Sequence, residues 1–339
     1  LIILIIVNVL ILATGNTHIY KGLQHTYLKG RSGPSPTEYT IFANNEIKAN
    51  KELPWAVSKN YNKLELSAVA RKELEDFKSL AFLVIKNDSI LYEEYWDEGA
   101  KGSITNSFSM AKTFVSVLVG IAIGEGKIKN EDQAVGDFIP EYKVGENAKL
   151  TIKHLLTMSS GIDFDEDYVS PFAYPAKAYY GTDIRSLTMK YKLVETPGKV
   201  FKYLSGNTEL LAFVLEKATG KCISEYASEK LWIPLGASKS AFWSLDHESG
   251  VEKAYCCFNS NARDFARIGS LYMHNGNWNG IQIVPEDYVK KSIVPANLVD
   301  EENKPNDRYG YSWWMFDYKG MHIYYARGIL GQYVVAIPD

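Results

Sequence analysis

Residues Ser107–Gly124 read SFSMAKTFVSVLVGIAIG, and from Phe114 onward they are apolar at nearly every position. A helix with apolar side chains all around it is buried inside a protein, because a surface helix keeps one polar face. This stretch therefore predicts a helix in the core of a globular domain.

Two polar residues stand at the front of this predicted helix. Ser109 and Lys112 are three positions apart, which places both side chains on one face of the first turn. Asn106 and Ser107, just ahead of them, are typical N-cap residues. Burial disfavours a charged ammonium and lowers its pKa, and a neutral amine beside a hydroxyl is a general base beside a nucleophile. The N–H groups of a helix N-terminus suit an oxygen that becomes negative. We interpret Ser109 as a nucleophile and Lys112 as its activating base.

The S-x-x-K pattern alone does not establish this chemistry. A chain of this size contains about one or two such patterns by chance at average Ser and Lys usage. Here the pattern occurs once, from Ser109 to Lys112, at the start of a predicted buried helix. The rest of the sequence has to distinguish a catalytic pair from a coincidence.

Composition excludes some classes of protein. The chain has 339 residues, a formal net charge of −3, 23 Tyr and 7 Trp. This length is enough for one large domain or two interleaved ones with a substantial core. The nearly balanced charge does not indicate nucleic acid or an acidic membrane surface as a partner. The many aromatic residues are typical of a globular protein with a cleft rather than of a disordered chain.

The first residues indicate export. Leu1–Thr14 is apolar apart from Asn8 and Thr14, with no initiator Met and no basic leader segment, so we expect the natural start to lie upstream. A segment of this length is too short to cross a bilayer, but a few more residues would suffice. We expect a signal or, preferably, a membrane anchor over residues 1–22 and a linker or N-terminal extension over 23–76. The protein would then be periplasmic or at the cell surface, with membrane contact only through its N-terminal segment.

The cysteines are Cys222, Cys256 and Cys257. An odd number of cysteines that includes an adjacent pair is not a disulfide framework, and no histidines stand at a spacing that would complete a zinc site. We expect small buried residues without a functional role, and we predict no metal site.

The pattern of turns and apolar runs predicts an α+β fold. Turn residues at Lys86–Ser89 predict a β-hairpin of Phe82–Ile85 and Ile90–Trp96. Capping and terminating residues predict helices at the following places: Ile152–Met158, a short helix from Asp183, Thr208–Ala218, Ser224–Trp232, Ala262–His274 and Glu286–Ser292. Strands are predicted again at Tyr311–Phe316, His322–Tyr325 and Tyr333–Ile337.

Strands near both chain ends with helices between them predict one antiparallel sheet flanked by helices, with a mainly helical lobe inserted at about 136–244. We expect this domain to span residues 77–339. We also expect it to be truncated at its C-terminal end, because the last predicted strand stops abruptly at Asp339.

Two further segments can contribute to a site. Tyr203 follows a Pro197–Gly198 turn and precedes a predicted helix. A tyrosine near a lysine can carry a proton to a leaving group, although Y-x-S also occurs at Tyr168 and Tyr226. The glycines of Gly328–Gln332 allow close approach of a ligand or another backbone. A strand N–H there can supply half of an oxyanion hole, and a tight turn between strands explains the glycines equally well.

Three segments, taken in order, resemble the signatures of the serine β-lactamase and penicillin-binding protein superfamily. The first signature is S-x-x-K, the second is Y-x-N or S-x-N, and the third is K-T-G. The corresponding segments here are Ser109–Lys112, Tyr203–Ser205 and Ala326–Gly328. Within this superfamily the chain is similar to class C-like serine hydrolases, which include family VIII esterases and 6-aminohexanoate-dimer hydrolases. The resemblance extends from about Leu80 to Asp339 and implies a β-lactamase/transpeptidase-like fold. Its other supporting segments are Leu150–Gly161, Asp163–Tyr168, Asn261–Arg267, Gly276–Gly280 and Gly328–Gln332.

The resemblance implies a role for each matching catalytic residue. Ser109 would be acylated, Lys112 would be its base, and Tyr203 would relay the proton. The N–H groups of Ser109 and Ile329 would form the oxyanion hole.

The resemblance also implies a substrate-binding set of Tyr168, Ser205, Asn207 and Gly328. Tyr168 lies where the dimer-hydrolase-like members have a tyrosine on a loop over the substrate. Ser205 stands where the second signature has asparagine, and Asn207 is a candidate substitute two residues on.

The third signature departs from the pattern, because Ala326–Gly328 stands in place of K-T-G. The lysine that meets an antibiotic's carboxylate is therefore absent. Arg327 is one position off, and strand alternation predicts that it points to the opposite face. This weakens β-lactam hydrolysis and favours esters or linear amides.

The sequence thus predicts a serine hydrolase that cleaves ester or linear amide bonds of a small-molecule or short peptide-like substrate through an acyl-Ser109 intermediate. No cofactor is expected. The alternatives are a β-lactamase or D-alanyl-D-alanine carboxypeptidase, a penicillin-binding sensor that is acylated without turnover, and a non-catalytic scaffold. The intact Ser109, Lys112 and Tyr203 argue against the scaffold.

Overall fold

The computed structural model describes residues 2–338, so Leu1 and Asp339, including the predicted truncation at Asp339, lie outside the described residues. Its α-helices are α1 Ile2–Ala13, α2 His18–His25, α3 Ala68–Asp76, α4 Ala111–Gly124, α5 Ile152–Leu156, α6 Tyr174–Tyr180, α7 Ile184–Met189, α8 Ser205–Thr219, α9 Ile223–Ala227, α10 Ala262–Met273 and α11 Glu286–Ser292. Its strands are β1 Asn44–Ile47, β2 Ala56–Val57, β3 Ala81–Lys86, β4 Ser89–Tyr95, β5 Thr105–Asn106, β6 Val200–Phe201, β7 Ala241–Ser244, β8 Phe258–Ser260, β9 Asn277–Trp278, β10 Ile281–Gln282, β11 Val299–Asp300, β12 Trp314–Tyr318, β13 Met321–Gly328 and β14 Gln332–Ala336.

The predicted central helix is α4, preceded by the 3₁₀ turn Phe108–Met110. Every residue from Ala111 to Ala122 is buried, as its all-round apolar sequence predicts. The ring of Phe114 stacks on that of Phe258, with centroids 4.3 Å apart. The helix therefore lies in the main hydrophobic core and fixes its N-terminal turn relative to the surrounding elements.

The strands pair in several ladders. A four-stranded antiparallel sheet has the order β1-β7-β8-β5, and the C-terminal strands form the antiparallel sheet β12-β13-β14. The predicted hairpin is β3 and β4, and β2 adds to β4 in parallel. The hairpin and the C-terminal strands do not pair in the one sheet that the sequence predicts. Helix α10 lies between them and contacts both β3 and β14.

Helices α5 to α9 lie between the early and late strands, as the predicted inserted lobe requires. Helix α8 packs against α4, and it starts at Ser205, three residues before the predicted start. The predicted Ser224–Trp232 helix is α9 followed by a π turn over Ser228–Trp232. Helix α11 matches its predicted bounds.

The predicted strand Tyr311–Phe316 is wrong at its start, since β12 begins at Trp314. The carbonyl of Tyr311 accepts a hydrogen bond from Ser116 Oγ at 2.8 Å, and that of Ser312 accepts one from Thr113 Oγ1 at 2.7 Å. These two carbonyl groups therefore accept hydrogen bonds from side chains of α4 instead of pairing with a neighbouring strand.

The N-terminal segment is partly integrated in the fold. Helix α1 exposes most of its apolar side chains, including Ile2, Ile3 and Leu12. Helix α2 contacts α6, and β1, within the predicted linker, pairs with β7. Among residues 2–338, no helix combines the length and apolarity needed to cross a membrane.

The cysteines differ from the expectation. Cys256 and Cys257 are buried, as predicted, but their sulfur atoms form a disulfide between adjacent residues. Cys222 is a free thiol with intermediate exposure. The expectation that the adjacent pair would be unbonded is therefore wrong, because the backbone brings the two sulfurs into bonding contact.

Candidate active site

Ser109 lies in a tightly constrained turn. Its neighbours Phe108 and Met110 are each 2% exposed, whereas Ser109 itself is partly exposed. Phe108 has φ +44°, a backbone conformation that costs a side-chain-bearing residue energy and occurs often at functional sites. The side chain of Asn106 accepts a hydrogen bond from the Phe108 N–H at 2.8 Å. This contact holds the turn so that the Ser109 hydroxyl is presented at the surface of an otherwise buried segment.

Lys112 is 1% exposed and lies directly below Ser109. Its Nζ donates to Ser109 Oγ at 3.0 Å and to the carbonyl oxygen of Tyr255 at 2.9 Å. Burial lowers the Lys112 pKa from 10.5 to about 8, against the opposing effect of Glu166 and Glu209, whose negative charges raise it. The structure therefore brings the two predicted residues together and leaves a sizeable fraction of the amine neutral near pH 8.

Tyr203 lies in the loop between β6 and α8. Its ring packs on Trp314 with centroids 5.3 Å apart, and Lys112 Nζ is 5.0 Å from its ring centroid. Burial raises the Tyr203 pKa, while the neighbouring Ser109 hydroxyl lowers it. Tyr203 is thus a neutral phenol next to both Ser109 and Lys112, and it can donate a proton.

Gly328 lies against the start of the turn that carries Ser109. A Cβ added to Gly328 would lie 2.2 Å from the Ser107 carbonyl oxygen and 3.2 Å from Phe108 Cβ. Gly328 ends β13, and the next residue, Ile329, is 43% exposed. Gly328, the residue before Ile329, therefore adjoins the turn that carries Ser109, and the oxyanion hole of Ser109 and Ile329 stays a prediction.

Glu166 joins two of the predicted substrate-binding residues. Its Oε1 accepts hydrogen bonds from the Tyr168 hydroxyl at 2.8 Å and from Ser205 Oγ at 2.5 Å, and its Oε2 accepts one from the Ser205 N–H at 2.7 Å. Tyr168 is 54% exposed and Ser205 is fully buried. Tyr168 therefore lies at the rim, whereas the Ser205 hydroxyl is held by Glu166 inside the protein.

Asn207 is fully buried in α8, and its Nδ2 contacts Met158 Sδ at 3.5 Å. This places the amide behind the Tyr203 loop rather than on an open surface. Its Oδ1 has no hydrogen-bond partner among the described residues, and its role as a substitute for the asparagine of the second signature stays a prediction.

Arg327 faces the opposite side of β13 from Ala326, as strand alternation predicts, but this side is near Tyr203. Its guanidinium lies over the ring of Trp314, 5.9 Å from the centroid, and its positive charge lowers the Tyr203 pKa. Ala326, one residue earlier, is 1% exposed, so its face of β13 packs into the core. The face that bears Arg327 is the one that leads to Tyr203.

Sequence reasoning missed Glu166, Trp314 and the Tyr255 carbonyl. Glu166 lies in the Asp163–Tyr168 segment that supports the resemblance, so its acidic composition was a usable signal. A backbone carbonyl carries no signal of its own in the sequence. Within residues 2–338, no three or more His, Cys, Asp or Glu side chains are grouped so that they could hold a metal ion.

The sequence is similar to those of known proteins. The profile of the beta-lactamase family matches residues 66–339. The 6-aminohexanoate-dimer hydrolase of Paenarthrobacter ureafaciens is 27% identical over 264 residues, covering 72% of this chain and 66% of that protein. Protein flp of Staphylococcus aureus is 24% identical over 278 residues, covering 75% of this chain and 55% of that protein. The chain thus spans between about half and two thirds of the length of these curated relatives.

Solved structures share the fold. A Bacillus anthracis protein assigned as a 6-aminohexanoate-dimer hydrolase aligns with a TM-score of 0.76 and 25% identity, covering 88% of this chain and 83% of that one. The octameric penicillin-binding protein homologue from Pyrococcus abyssi aligns with a TM-score of 0.59 and 19% identity, covering 80% of this chain and 70% of that one. The predicted α+β, β-lactamase/transpeptidase-like fold is thereby confirmed, and the chain belongs to the beta-lactamase family.

Proposed function

We propose that the protein is a serine hydrolase that cleaves ester or linear amide bonds through an acyl-Ser109 intermediate. The observation that carries this proposal is the 3.0 Å hydrogen bond between Lys112 Nζ and Ser109 Oγ, made by a lysine that is almost completely buried. Similarity to 6-aminohexanoate-dimer hydrolases supports the amide and ester class.

The acylation step begins with proton transfer. Neutral Lys112, with Tyr203 beside it, accepts the Ser109 proton as Oγ attacks the substrate carbonyl carbon. The backbone N–H groups of Ser109 and Ile329 stabilise the tetrahedral oxyanion, with a contribution of about 3 kcal/mol for a donor of this kind. Tyr203 or Lys112 returns the proton to the leaving alcohol or amine as the bond to it breaks.

Deacylation repeats the same steps with water. The amine that is neutral again takes a proton from water as the water oxygen attacks the acyl carbon, and Ser109 leaves with a proton from Lys112 or Tyr203. Lys112 and Tyr203 both lie beside Ser109, so either can pass the proton on, and a Tyr203 that has given up its proton regains it from Lys112.

One observation favours the alternative of a carboxylate-bearing substrate such as a β-lactam or a D-alanyl peptide. Arg327 lies on the face of β13 that leads to Tyr203 and stacks on Trp314. An arginine can bind a carboxylate through two parallel hydrogen bonds. The missing lysine of the third signature is therefore no argument against acidic substrates.

The proposal is tested by steady-state hydrolysis of a p-nitrophenyl ester, a linear 6-aminohexanoate amide and nitrocefin. We expect turnover of the ester or the amide, and loss of it in Ser109→Ala. Ser116→Ala is the matched control, because Ser116 lies in α4, directly after the turn that carries Ser109, but bonds to Tyr288 and Tyr311.

Each other outcome has a defined meaning. Unchanged turnover in Ser109→Ala contradicts the proposal. Nitrocefin turnover with poor ester turnover favours the β-lactamase or carboxypeptidase alternative. A stable adduct without product favours the penicillin-binding sensor.

We also propose that the N-terminal segment contacts lipid and that the protein acts outside the cytoplasm. The exposed apolar side chains of α1, among them Ile2, Ile3 and Leu12, support this proposal. Flotation with liposomes tests it: binding should be lost when residues 1–13 are removed, and equal flotation of both forms contradicts it.

A further inference from the structure

Glu209 is a buried carboxyl group close to the catalytic lysine. It lies in the first part of α8 and is fully buried. Its Oε2 accepts a hydrogen bond from the Ala254 N–H at 2.9 Å, while Oε1 has no hydrogen-bond partner among the described residues. A carboxyl group is costly to bury, so the complete burial of Glu209 calls for a function.

The segment that Glu209 holds is the one that contacts Lys112. Ala254 is followed by Tyr255, whose carbonyl oxygen accepts the second hydrogen bond of Lys112 Nζ at 2.9 Å. The N–H groups of Ala254 and Tyr255 both interact with the Glu209 carboxyl group. Glu209 therefore holds the two peptide N–H groups that immediately precede the carbonyl oxygen bound by Lys112.

This second hydrogen bond decides where the lone pair of the amine points. A neutral amine has two N–H bonds and one lone pair. When one N–H is directed at the Tyr255 carbonyl, the lone pair can face the hydroxyl proton of Ser109. In the structure Nζ donates to Ser109 Oγ, and loss of that proton leaves the lone pair in this direction; if the carbonyl moves, the neutral amine can rotate and the lone pair turns away from Ser109.

We propose that Glu209 is a positioning residue, which anchors Ala254 and Tyr255 so that the Tyr255 carbonyl orients the Lys112 amine as a base toward Ser109. This inference rests on the proposed function, because it assigns a role in the activation of Ser109. Glu209 touches neither Ser109 nor the substrate position and acts only through Tyr255 and Lys112.

The electrostatic surroundings agree with a hydrogen-bonding role. Burial raises the Glu209 pKa to about 8, so much of the carboxyl group is protonated near neutral pH. The titratable groups that interact with it lie on α4, on α6 and in the segment before β8 and are Lys112, Tyr174, Glu252, Lys253 and Tyr255. An acceptor oxygen is present in both protonation states, which is what the anchoring role needs.

Two substitutions separate hydrogen bonding from charge. Glu209→Gln keeps a side-chain oxygen for the Ala254 N–H, and we expect its kcat to stay within about threefold of the wild type. Glu209→Met has similar size but no acceptor, and we expect kcat for the ester to fall by about 10–100-fold with KM within twofold, because small misplacement of a reacting group has effects of this size. Glu216→Met is the matched control, since Glu216 lies on the same helix but is exposed and pairs with Arg185.

The thermal unfolding midpoint of each variant is measured first. If Glu209→Met does not fold, Glu209→Ala replaces it, and added acetamide, which can supply an acceptor in the vacated space, should restore kcat by at least threefold.

Three results overturn the inference: unchanged kcat in Glu209→Met, absence of acetamide rescue in Glu209→Ala, or a loss in Glu209→Gln as large as in Glu209→Met. Ser109→Ala in the same assay keeps the two proposals apart. If Ser109→Ala retains activity, the proposed function fails. If Ser109→Ala is inactive while the Glu209 variants keep their kcat, only this inference fails.

Discussion

Gly328 and Ser107 approach so closely that a Cβ on the glycine would lie 2.2 Å from the serine carbonyl oxygen. This contact places the end of β13 against the turn that carries Ser109, the proposed nucleophile. It therefore sets the separation between the two backbone segments proposed to form the oxyanion hole.

Gly328→Ala should consequently reduce kcat by about 100-fold or more, because displacing one oxyanion donor has an effect of 10²–10³ in comparable enzymes. The measurement is kcat for the ester together with the thermal unfolding midpoint. Gly33→Ala is the control, since a Cβ there meets no atom within 4 Å. Wild-type kcat in a folded Gly328→Ala protein would mean that the contact does not position the donor.

Activity should depend on pH through Lys112. The base must be neutral, and burial lowers its pKa to about 8, so kcat/KM should rise with pH and level off above an apparent pKa near 8. Between about 8 and 10.5 the unfolded chain binds more protons at this group than the folded chain does, so its contribution to stability also increases with pH there. The measurement is kcat/KM for the ester from pH 5 to 10. Lys112→Met should remove the activity. A kcat/KM that does not change with pH contradicts the assignment of Lys112 as the base.

Tyr203→Phe should affect amides more than esters. An amine leaving group needs a proton as the bond breaks, whereas p-nitrophenolate leaves without one, and acid–base catalysis of this kind contributes about 10²–10⁴-fold. We expect kcat/KM to fall by about 10³-fold for the amide and at least tenfold less for the ester. Because phenylalanine keeps the ring packed on Trp314, equal losses for both substrates would mean that the Tyr203 hydroxyl acts in a step common to both and not as the acid for the leaving amine.

Arg327→Gln should act on substrate binding. If the guanidinium meets a carboxylate, KM for an acidic amide should rise about tenfold, because a charge-assisted hydrogen bond contributes about 1.5–3 kcal/mol. KM for a neutral ester should stay within twofold. Paired measurements on the two substrates decide this, and equal changes in KM would exclude a carboxylate-specific contact.

Local patterns in the sequence predicted that Ser109 and Lys112 lie side by side, and the structure places them in contact. Ser109 and Lys112 are related by helical spacing alone, and the all-round apolar character of α4 predicts the burial that lowers the Lys112 pKa. The helix α11 and the β3–β4 hairpin are likewise encoded by nearby capping and turn residues.

Features that depend on tertiary packing could not be predicted in this way. Strand alternation shows that Ala326 and Arg327 face opposite sides of β13, but only the packed structure shows that Ala326 is the buried one. The start of β12 depends on hydrogen bonds from Thr113 and Ser116. The Tyr255 carbonyl reaches Lys112 from 143 positions away along the chain.

The most direct test of the central claim is intact-mass analysis of protein quenched within milliseconds of mixing with the ester, followed by peptide mapping. The account predicts a mass increase equal to the acyl group, located on Ser109, which disappears as substrate is consumed and is absent in Ser109→Ala. Turnover without any adduct, or an adduct on another residue, would contradict it.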